Sequence, residues 1–349
     1  MRRLLIILIL IITSASIAHP FSEDKSHGGI YCRVDGAIIQ KMKPDIIVSK
    51  LIQPTAEFYI KNRGRAKSKI RLKIININPS FAYIKSGKGK NVRILYAVEN
   101  YAMLEVNIPA GKSARFTISY KSNNPEKFTF ALVGDPQGNM KIFSGMLAEI
   151  KKKKPLFIIV MGDLVERGTS REYSEYLKTI SGFPIPIYHI PGNHDITDGG
   201  RSRFLWDVSP ADYSFDVGKF HFTMLDSSRW YLRKNQWRWL EGELKKHSNC
   251  FVFMHVPPFS PIKRFDEYTL AYKGQKKRFL SVMKRHKVRS VFSGHVHGFQ
   301  KEVRDGVQYY VSGGGGAKLH LFPWNGGYYN FLIVDVDDMK FRVSVVKYQ

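Results

Sequence analysis

Only two cysteines, Cys32 and Cys250, occur in a chain of 349 residues. At most one disulfide can therefore form. Pairing would tie the front of the chain to its second half; equally, Cys250 opens the apolar stretch CFVFM and reads as a buried thiol. Long apolar runs are also missing. The run Leu4 to Ile12 covers nine residues, against the ~20 that a spanning helix needs, and nothing later in the chain could cross a bilayer. No cysteine lies directly after this run, which argues against a lipid-anchored form. Acidic side chains are few: 29 Asp and Glu face 55 Lys and Arg, a net charge of +26.

The charge is spread unevenly. Residues 1–125 carry 21 Lys and Arg against 7 Asp and Glu, and the remainder carries 34 against 22. Per residue, the excess is about twice as high in the first part. The clusters KNRGRAKSKIRLK (61–73) and KSGKGK (85–90) could face a polyanion: nucleic acid, an anionic envelope polymer or phospholipid head groups. A solvated basic face is the alternative. Few aromatics lie within these clusters, which weakens any case for stacking single-stranded nucleic acid.

What is present begins with MRRLLIILILIITSASIA. Two arginines, a short apolar run and a small-x-small site give residues 1–18 the layout of a secretory signal peptide. Export to the periplasm, cell surface or medium is expected, with an uncleaved signal anchor as the alternative. Apolar content of 44% over this length supports a sizeable core and suggests two domains.

Residues 30–122 read as all-β. AEFYIKN, KIRLKIIN, NVRILYAV, AMLEVNI and ARFTISY alternate or are β-branched, with turn signals between them. Six or seven such strands suggest a β-sandwich, immunoglobulin-like in outline. No catalytic constellation lies here. Residues 121–125 form the expected linker.

From residue 126 strands alternate with helices. FTFALV precedes a helix capped by Asn139, and PLFIIVM precedes one opened by a Thr169–Glu172 capping box. IPIYHI, a YSFDV/HFTML hairpin, a helix from Asn235, CFVFMH, a helix near 275–286 and VRSVFSG follow, before a strand-rich end. Residues 126–349 therefore predict a layered α/β core with two sheets.

Polar residues gather where these strands stop. Gly134-Asp135-Pro136-Gln137, Gly162-Asp163, Gly192-Asn193-His194-Asp195, His255 and Gly294-His295-Val296-His297 each follow a predicted strand. Ligands of open α/β sheets bind at carboxyl ends of strands, so these side chains can converge. Two Asp, one Asn, one Gln and three His, with no Cys, suit Mn, Fe, Zn, Co or Ni. Seven donors exceed one structural zinc site and fit two divalent ions sharing a carboxylate.

In order and spacing, GDPQ, GDLVERG, GNHD, MHVPP and GHVH resemble the motifs of the calcineurin-like metallophosphoesterases. The resemblance covers about residues 126–349. It implies a layered α/β/β/α core, two sheets flanked by helices, behind the N-terminal all-β sandwich. It implies that Asp135, Gln137, Asp163 and His297 hold one metal. Asp163 would bridge to a second ion, completed by Asn193, His255 and His295. A hydroxide bridging the ions would then attack a phosphate mono- or diester. His194 resembles the family's catalytic histidine, and Glu166 stands where one branch has an Asp paired with it. Arg167 matches that branch's phosphate-binding arginine. Gln137 departs from the more frequent histidine and is a neutral, weaker donor.

Around this set, Asp195 is expected to orient its loop or to close a local turn. His189 and His221 read as core residues; His320 follows the Gly313–Gly316 run and could touch substrate. His19, His27, His247 and His286 read as surface. Trp206 and Tyr213 are expected in the core, with pocket lining as the alternative. The functional expectation is a secreted two-metal phosphoesterase. Its alternative is an inactive envelope binding or adhesion protein on the same fold.

Overall fold

The computed structural model describes residues 21–79, 82–86, 91–120 and 125–349. The expected signal peptide, most of the linker and most of KSGKGK lie outside the described residues. Among those residues, no helix is long and apolar enough to cross a membrane.

Among the described residues, ten strands between Ser22 and Tyr120 make two five-stranded sheets. This exceeds the six or seven predicted and begins earlier. The reason is local: the first strand, Ser22–His27, reads SEDKSH and carries no apolar alternation to betray it. Where alternation exists it works as expected. Ala56–Asn62 alternates buried and half-buried along its length. Phe58 lies opposite Phe116 in the register, and their rings stack at 5.0 Å with a 2° interplanar angle. Cys32, Ile60, Leu72 and Leu104 complete the buried interior of this sandwich.

Two further sheets form the second part. One runs Ile187–Ile190, Phe157–Met161, Lys127–Val133, Tyr329–Asp337, Lys340–Tyr348, with the first three strands parallel. The other runs Tyr213–Val217, Phe220–Leu225, Cys250–Met254, Ser290–Ser293, Val307–Ser312, Phe299–Arg304. Their facing sides share one aromatic core that includes Phe130, Phe157, Phe222 and Phe253. Phe130 stacks on Phe157 at 5.4 Å and meets Phe222 edge-on at 5.2 Å.

Both outer faces are covered by helices. On the first sheet, Ala131 and Val133 pack against Phe143, Met146, Leu147 and Ile150 of helix Met140–Lys152. Asn139 Oδ1 accepts from the Ile142 N–H at 3.3 Å, and the Thr169–Glu172 capping box is present. On the second sheet, Val252 and Val291 pack against Trp237, Leu240 and Leu244 of helix Lys234–Lys246 and Phe279 of helix Lys273–Arg285. The former helix is capped by Arg233, just ahead of the expected start at Asn235. Strands covered on both faces explain continuous apolar runs such as the fully buried FIIVM. The layering is α/β/β/α.

Both cysteines are free and buried. Cys32 belongs to the sandwich core and Cys250 to the second sheet, and burial pushes each thiol up to about 12. The pairing left open by the sequence is thus not made. Trp206 departs from expectation more sharply, at 77% exposed. It sits in a π-helical turn, Phe204–Val208, whose ends Phe204 and Val208 point inward and leave the middle facing solvent. Tyr213 is buried as expected, donating its hydroxyl to the His189 carbonyl.

Candidate metal centre

Parallel strands of the two sheets end on the same side, and each delivers its polar residue there through a tight turn. A side chain at Gly192 would collide with the Asp163 carboxylate, and one at Gly294 with that of Asp135. Only glycine lets these backbones approach so closely. Four of the seven donor residues, Asp135, Gln137, Asp163 and His295, hold φ between 43° and 69°. Side chains rarely adopt that left-handed region, and such strain collects where a site demands it.

The two carboxylates are pinned by backbone donors. The His295 N–H donates to Asp135 Oδ1 at 2.9 Å, and the His194 N–H to Asp163 Oδ1 at 2.9 Å. Two imidazoles have their tautomers fixed, because a carbonyl can only accept. His255 Nδ1 donates to the Met161 carbonyl at 2.8 Å and His297 Nδ1 to the Lys318 carbonyl at 2.7 Å. Each thereby turns Nε2 inward, the orientation that metal-binding histidines need.

Around His255 Nε2 three other atoms converge: Asp163 Oδ2 at 3.2 Å, Asn193 Oδ1 at 3.1 Å and His295 Nδ1 at 3.2 Å. One proton can serve only one of these contacts. A divalent cation with bonds of about 2.0–2.2 Å can serve all four, because neighbouring ligands then lie about 3 Å apart. On the other side of Asp163, His297 Nε2 lies 3.6 Å from Asp135 Oδ1. Ligand atoms of Asp163, His255 and His295 fall within 4.8 Å of one another, as do those of Asp135, Asp163 and His297. Asp163 belongs to both groups. Gln137 Oε1 is buried without a hydrogen-bond partner, and Asp163 Oδ2 has only its share of the His255 Nε2 contact. Such an orphan is rare in folded proteins, and here both atoms fit cation ligands.

Electrostatics agrees. Burial, reinforced by the Asp163 charge, holds Asp135 well above the usual carboxylate range. Burial would raise Asp163 as well, but His255 outweighs it and pulls the group low. His255 in turn is pushed up to about 10, because Asp163 and Asp135 overcome its burial. The cluster draws positive charge into itself.

Residues 128–299 match the model of the calcineurin-like phosphoesterases. That region of the chain is a calcineurin-like phosphoesterase region. A mouse serine/threonine-protein phosphatase, CPPED1, is 31% identical over 41% of this chain and 54% of its own length. A probable glycerophosphodiester phosphodiesterase, GpdQ, from Arcobacter nitrofigilis is 30% identical over 42% and 58%. The chain thus spans little more than half the length of these relatives. In fold, it resembles the purple acid phosphatase PPD1 of yellow lupin seeds, with a TM-score of 0.57 at 12% identity over 86% of this chain and 79% of that one. That span exceeds what the phosphoesterase region alone supplies and reaches into the sandwich.

All seven expected phosphoesterase ligands lie at this one place, and His194 lies beside them. Its Nδ1 donates to the Glu166 carbonyl at 2.6 Å, and its Nε2 faces Gln137 Nε2 at 3.2 Å. The expected carboxylate pairing is not formed: Glu166 Oε1 is 4.0 Å away and the carbonyl of the same residue takes its place. Asp195 does orient the loop, accepting from the Gly192 N–H at 2.7 Å and the Leu164 N–H at 2.8 Å. Arg167 touches none of the ligands; its side chain is exposed and pairs with Asp198 at 3.2 Å. His320 stacks on His297 at 3.9 Å. Sequence reasoning missed Trp230, which holds φ +66° and sets its ring perpendicular to His295 at 4.4 Å. His221 is core, as expected, but His247 is half-buried against it rather than on the surface.

Proposed function

We propose that this protein is a two-metal phosphoesterase that hydrolyses a phosphate mono- or diester. The observation that carries the reading is the convergence of Asp163, Asn193 and His295 on His255 Nε2. Asp135, Gln137, Asp163 and His297 would hold one divalent ion, and Asp163, Asn193, His255 and His295 the other. Bound there, the ions would supply Lewis acidity toward the phosphoryl oxygens and a hydroxide nucleophile.

The chain's own residues do the rest. With Nδ1 held by the Glu166 carbonyl, His194 turns Nε2 toward the ligand cluster, 3.2 Å from the Gln137 amide nitrogen. Once protonated at Nε2, it can hand that proton to the departing oxygen. Asp195 keeps the His194 turn in place through backbone amides. Arg167 can fork a phosphate only after leaving Asp198.

The organisation of the chain fits into the same reading. Residues 1–18 would direct export, 30–122 would form a separate sandwich unit, and 126–349 the catalytic unit. The basic sandwich would hold an anionic polymer or membrane surface, binding that weakens steeply with salt. The test of the enzyme reading is elemental analysis of the purified chain, with turnover of p-nitrophenyl phosphate and bis-p-nitrophenyl phosphate under added Mn. Two metals per chain with turnover of either ester is the expected result. No bound metal after Mn is supplied would overturn it.

A further inference from the structure

One sheet of the sandwich runs Ala37–Lys43, Ile46–Leu51, Ser68–Ile75, Tyr101–Ile108, Val92–Val98. Ile47, Leu72 and Leu104 lie in register and point into the sandwich core. Their sequence neighbours therefore point the other way. Across the five strands one outward row reads Lys43, Ile46, Arg71, Glu105, Arg93, and the next reads Lys41, Val48, Lys73, Met103, Tyr96. Lys69, opposite Asn107, adds another cation. Among the described strand residues of this face Glu105 is the one carboxylate, and Lys69 and Arg93 already hold it, at 2.8 and 3.2 Å. Asp45 and Glu99 sit in flanking turns. Lys41, Lys43, Lys69, Arg71 and Arg93 are all exposed, and Lys73 lies over the Tyr101 ring at 4.4 Å.

The edge strand beside these cations is apolar and open. Ile94, Leu95, Tyr96 and Val98 are 54%, 38%, 48% and 46% exposed. Tyr96 meets Tyr101 edge-on at 6.0 Å. A contiguous open apolar patch marks a protein or a membrane contact, and a bare edge invites another strand. Here the register shifts between Ile94 and Tyr96, so a bulge at Leu95 interrupts the ladder that a new strand would extend. A second copy of the chain would also bring its own cations against these. Pairing with another strand is thus opposed by geometry and, for a second copy, by charge.

We infer that this face docks on an anionic lipid bilayer, with its cations at the lipid phosphates and the Ile94–Val98 edge in the boundary between head groups and acyl chains. The inference rests on the reading of the basic sandwich as a polyanion-binding unit and commits it to one partner. A hydrated anionic polymer would satisfy the cations but leave the apolar edge in water. An anionic bilayer surface takes both, because basic residues gain at its negative potential while aliphatic side chains are buried below them. Tyrosine suits that boundary, with an apolar ring and a polar tip.

Vesicle sedimentation with the full-length chain tests this. Partition constants are measured at low salt on phosphatidylcholine vesicles and on an about 3:1 mixture of phosphatidylcholine and phosphatidylglycerol. The neutral vesicles record whatever the Leu4–Ile12 run contributes. The mixed vesicles should bind the parent about tenfold or more tightly than the neutral ones. Leu95→Ser/Tyr96→Ser, which leaves the charge alone, and Arg71→Gln/Lys73→Gln should each weaken mixed-vesicle binding about tenfold. All four positions lie on the outward face or the open edge, so both variants should keep the parent's circular dichroism. Dextran sulfate serves as the polymer probe: the parent and Leu95→Ser/Tyr96→Ser should bind it equally. Mixed-vesicle binding that is unchanged in Leu95→Ser/Tyr96→Ser would overturn the bilayer inference, and dextran sulfate binding weakened in Arg71→Gln/Lys73→Gln would then leave the polyanion reading standing. A parent that prefers neither mixed vesicles nor dextran sulfate would overturn both.

Discussion

The side-chain amide of Asn76 and the backbone of Ile187 exchange two hydrogen bonds: the Ile187 N–H donates to Asn76 Oδ1 at 2.8 Å, and Asn76 Nδ2 donates to the Ile187 carbonyl at 2.9 Å. Asn76 lies in the sandwich; Ile187 opens the edge strand whose far end turns into Asn193 and His194. The amide pairs that exposed edge as a neighbouring strand would. Downstream of the same turn, Lys50 Nζ donates to the Asp207 and Val208 carbonyls at 3.3 and 2.9 Å. The sandwich therefore grips the His194 segment on both sides.

Replacing Asn76 with alanine leaves two backbone groups of Ile187 unpaired in a part-buried position. A loss of about 1–3 kcal/mol is expected. Urea unfolding monitored by circular dichroism should give a lower midpoint for Asn76→Ala at an unchanged slope. An unchanged midpoint would mean that water takes over both bonds.

Asp163→Asn keeps the shape and an acceptor for the His194 N–H but removes the charge shared by both ligand groups. Bound metal should fall below two per chain, and turnover should drop by several kcal/mol of barrier, about 10³-fold. Elemental analysis beside a phosphatase assay checks both. Retained activity would remove Asp163 from the centre.

The metal centre was legible because its ligands end strands. A short strand that stops on glycine and a polar residue stands out against the apolar core around it, as Val288 to His295 does. The wall that Trp230 forms against His295 was not, because nothing in the local sequence announces which ring an aromatic side chain will meet. Trp206 misled for a similar reason: the π-helical turn that rotates it outward has no signature in FLWDV. Glu166 was placed correctly, yet it serves through its carbonyl, which any residue carries. The Asn76 and Lys50 contacts join residues more than 100 positions apart, and no local pattern announces them.

His221 lies between two carboxylates, with Nδ1 2.7 Å from Asp216 and Nε2 3.5 Å from Glu243, and its ring stacks on His247 at 3.7 Å. Burial lowers its pKa, but Asp216 and Glu243 together outweigh this and hold it above the ordinary value. A raised folded-state pKa stabilises most below the unfolded value of about 6.5, and that contribution disappears as pH rises through the folded value. Melting temperature compared between the parent and His221→Gln should show the largest gap near pH 6 and a smaller one at alkaline pH. A gap that widens with pH would refute the charged bridge.

With Cys32 and Cys250 free and buried in separate cores, reducing agent should leave the melting temperature unchanged. A thiol reagent should label neither residue in the native chain and both after unfolding. A melting temperature that falls on reduction would mean that the two thiols pair.

Removing metal is the broadest test of the centre. Asp135 and Asp163 are essentially inaccessible to solvent, at 0% and 1% exposed, and two such neighbours repel unless a positive charge lies between them. Cations that bind only the folded chain stabilise it by about 2.7 kcal/mol at a hundredfold excess over Kd. For a unit of this size that is about 5–10 °C in Tm. Calorimetry of the chelated chain should therefore show a lower Tm that climbs steadily with the logarithm of added Mn. Asp163→Asn should flatten that climb, since it weakens both ligand groups at once. A Tm indifferent to both chelator and metal would mean that seven converging donors hold no cation, and the catalytic proposal would fall with it.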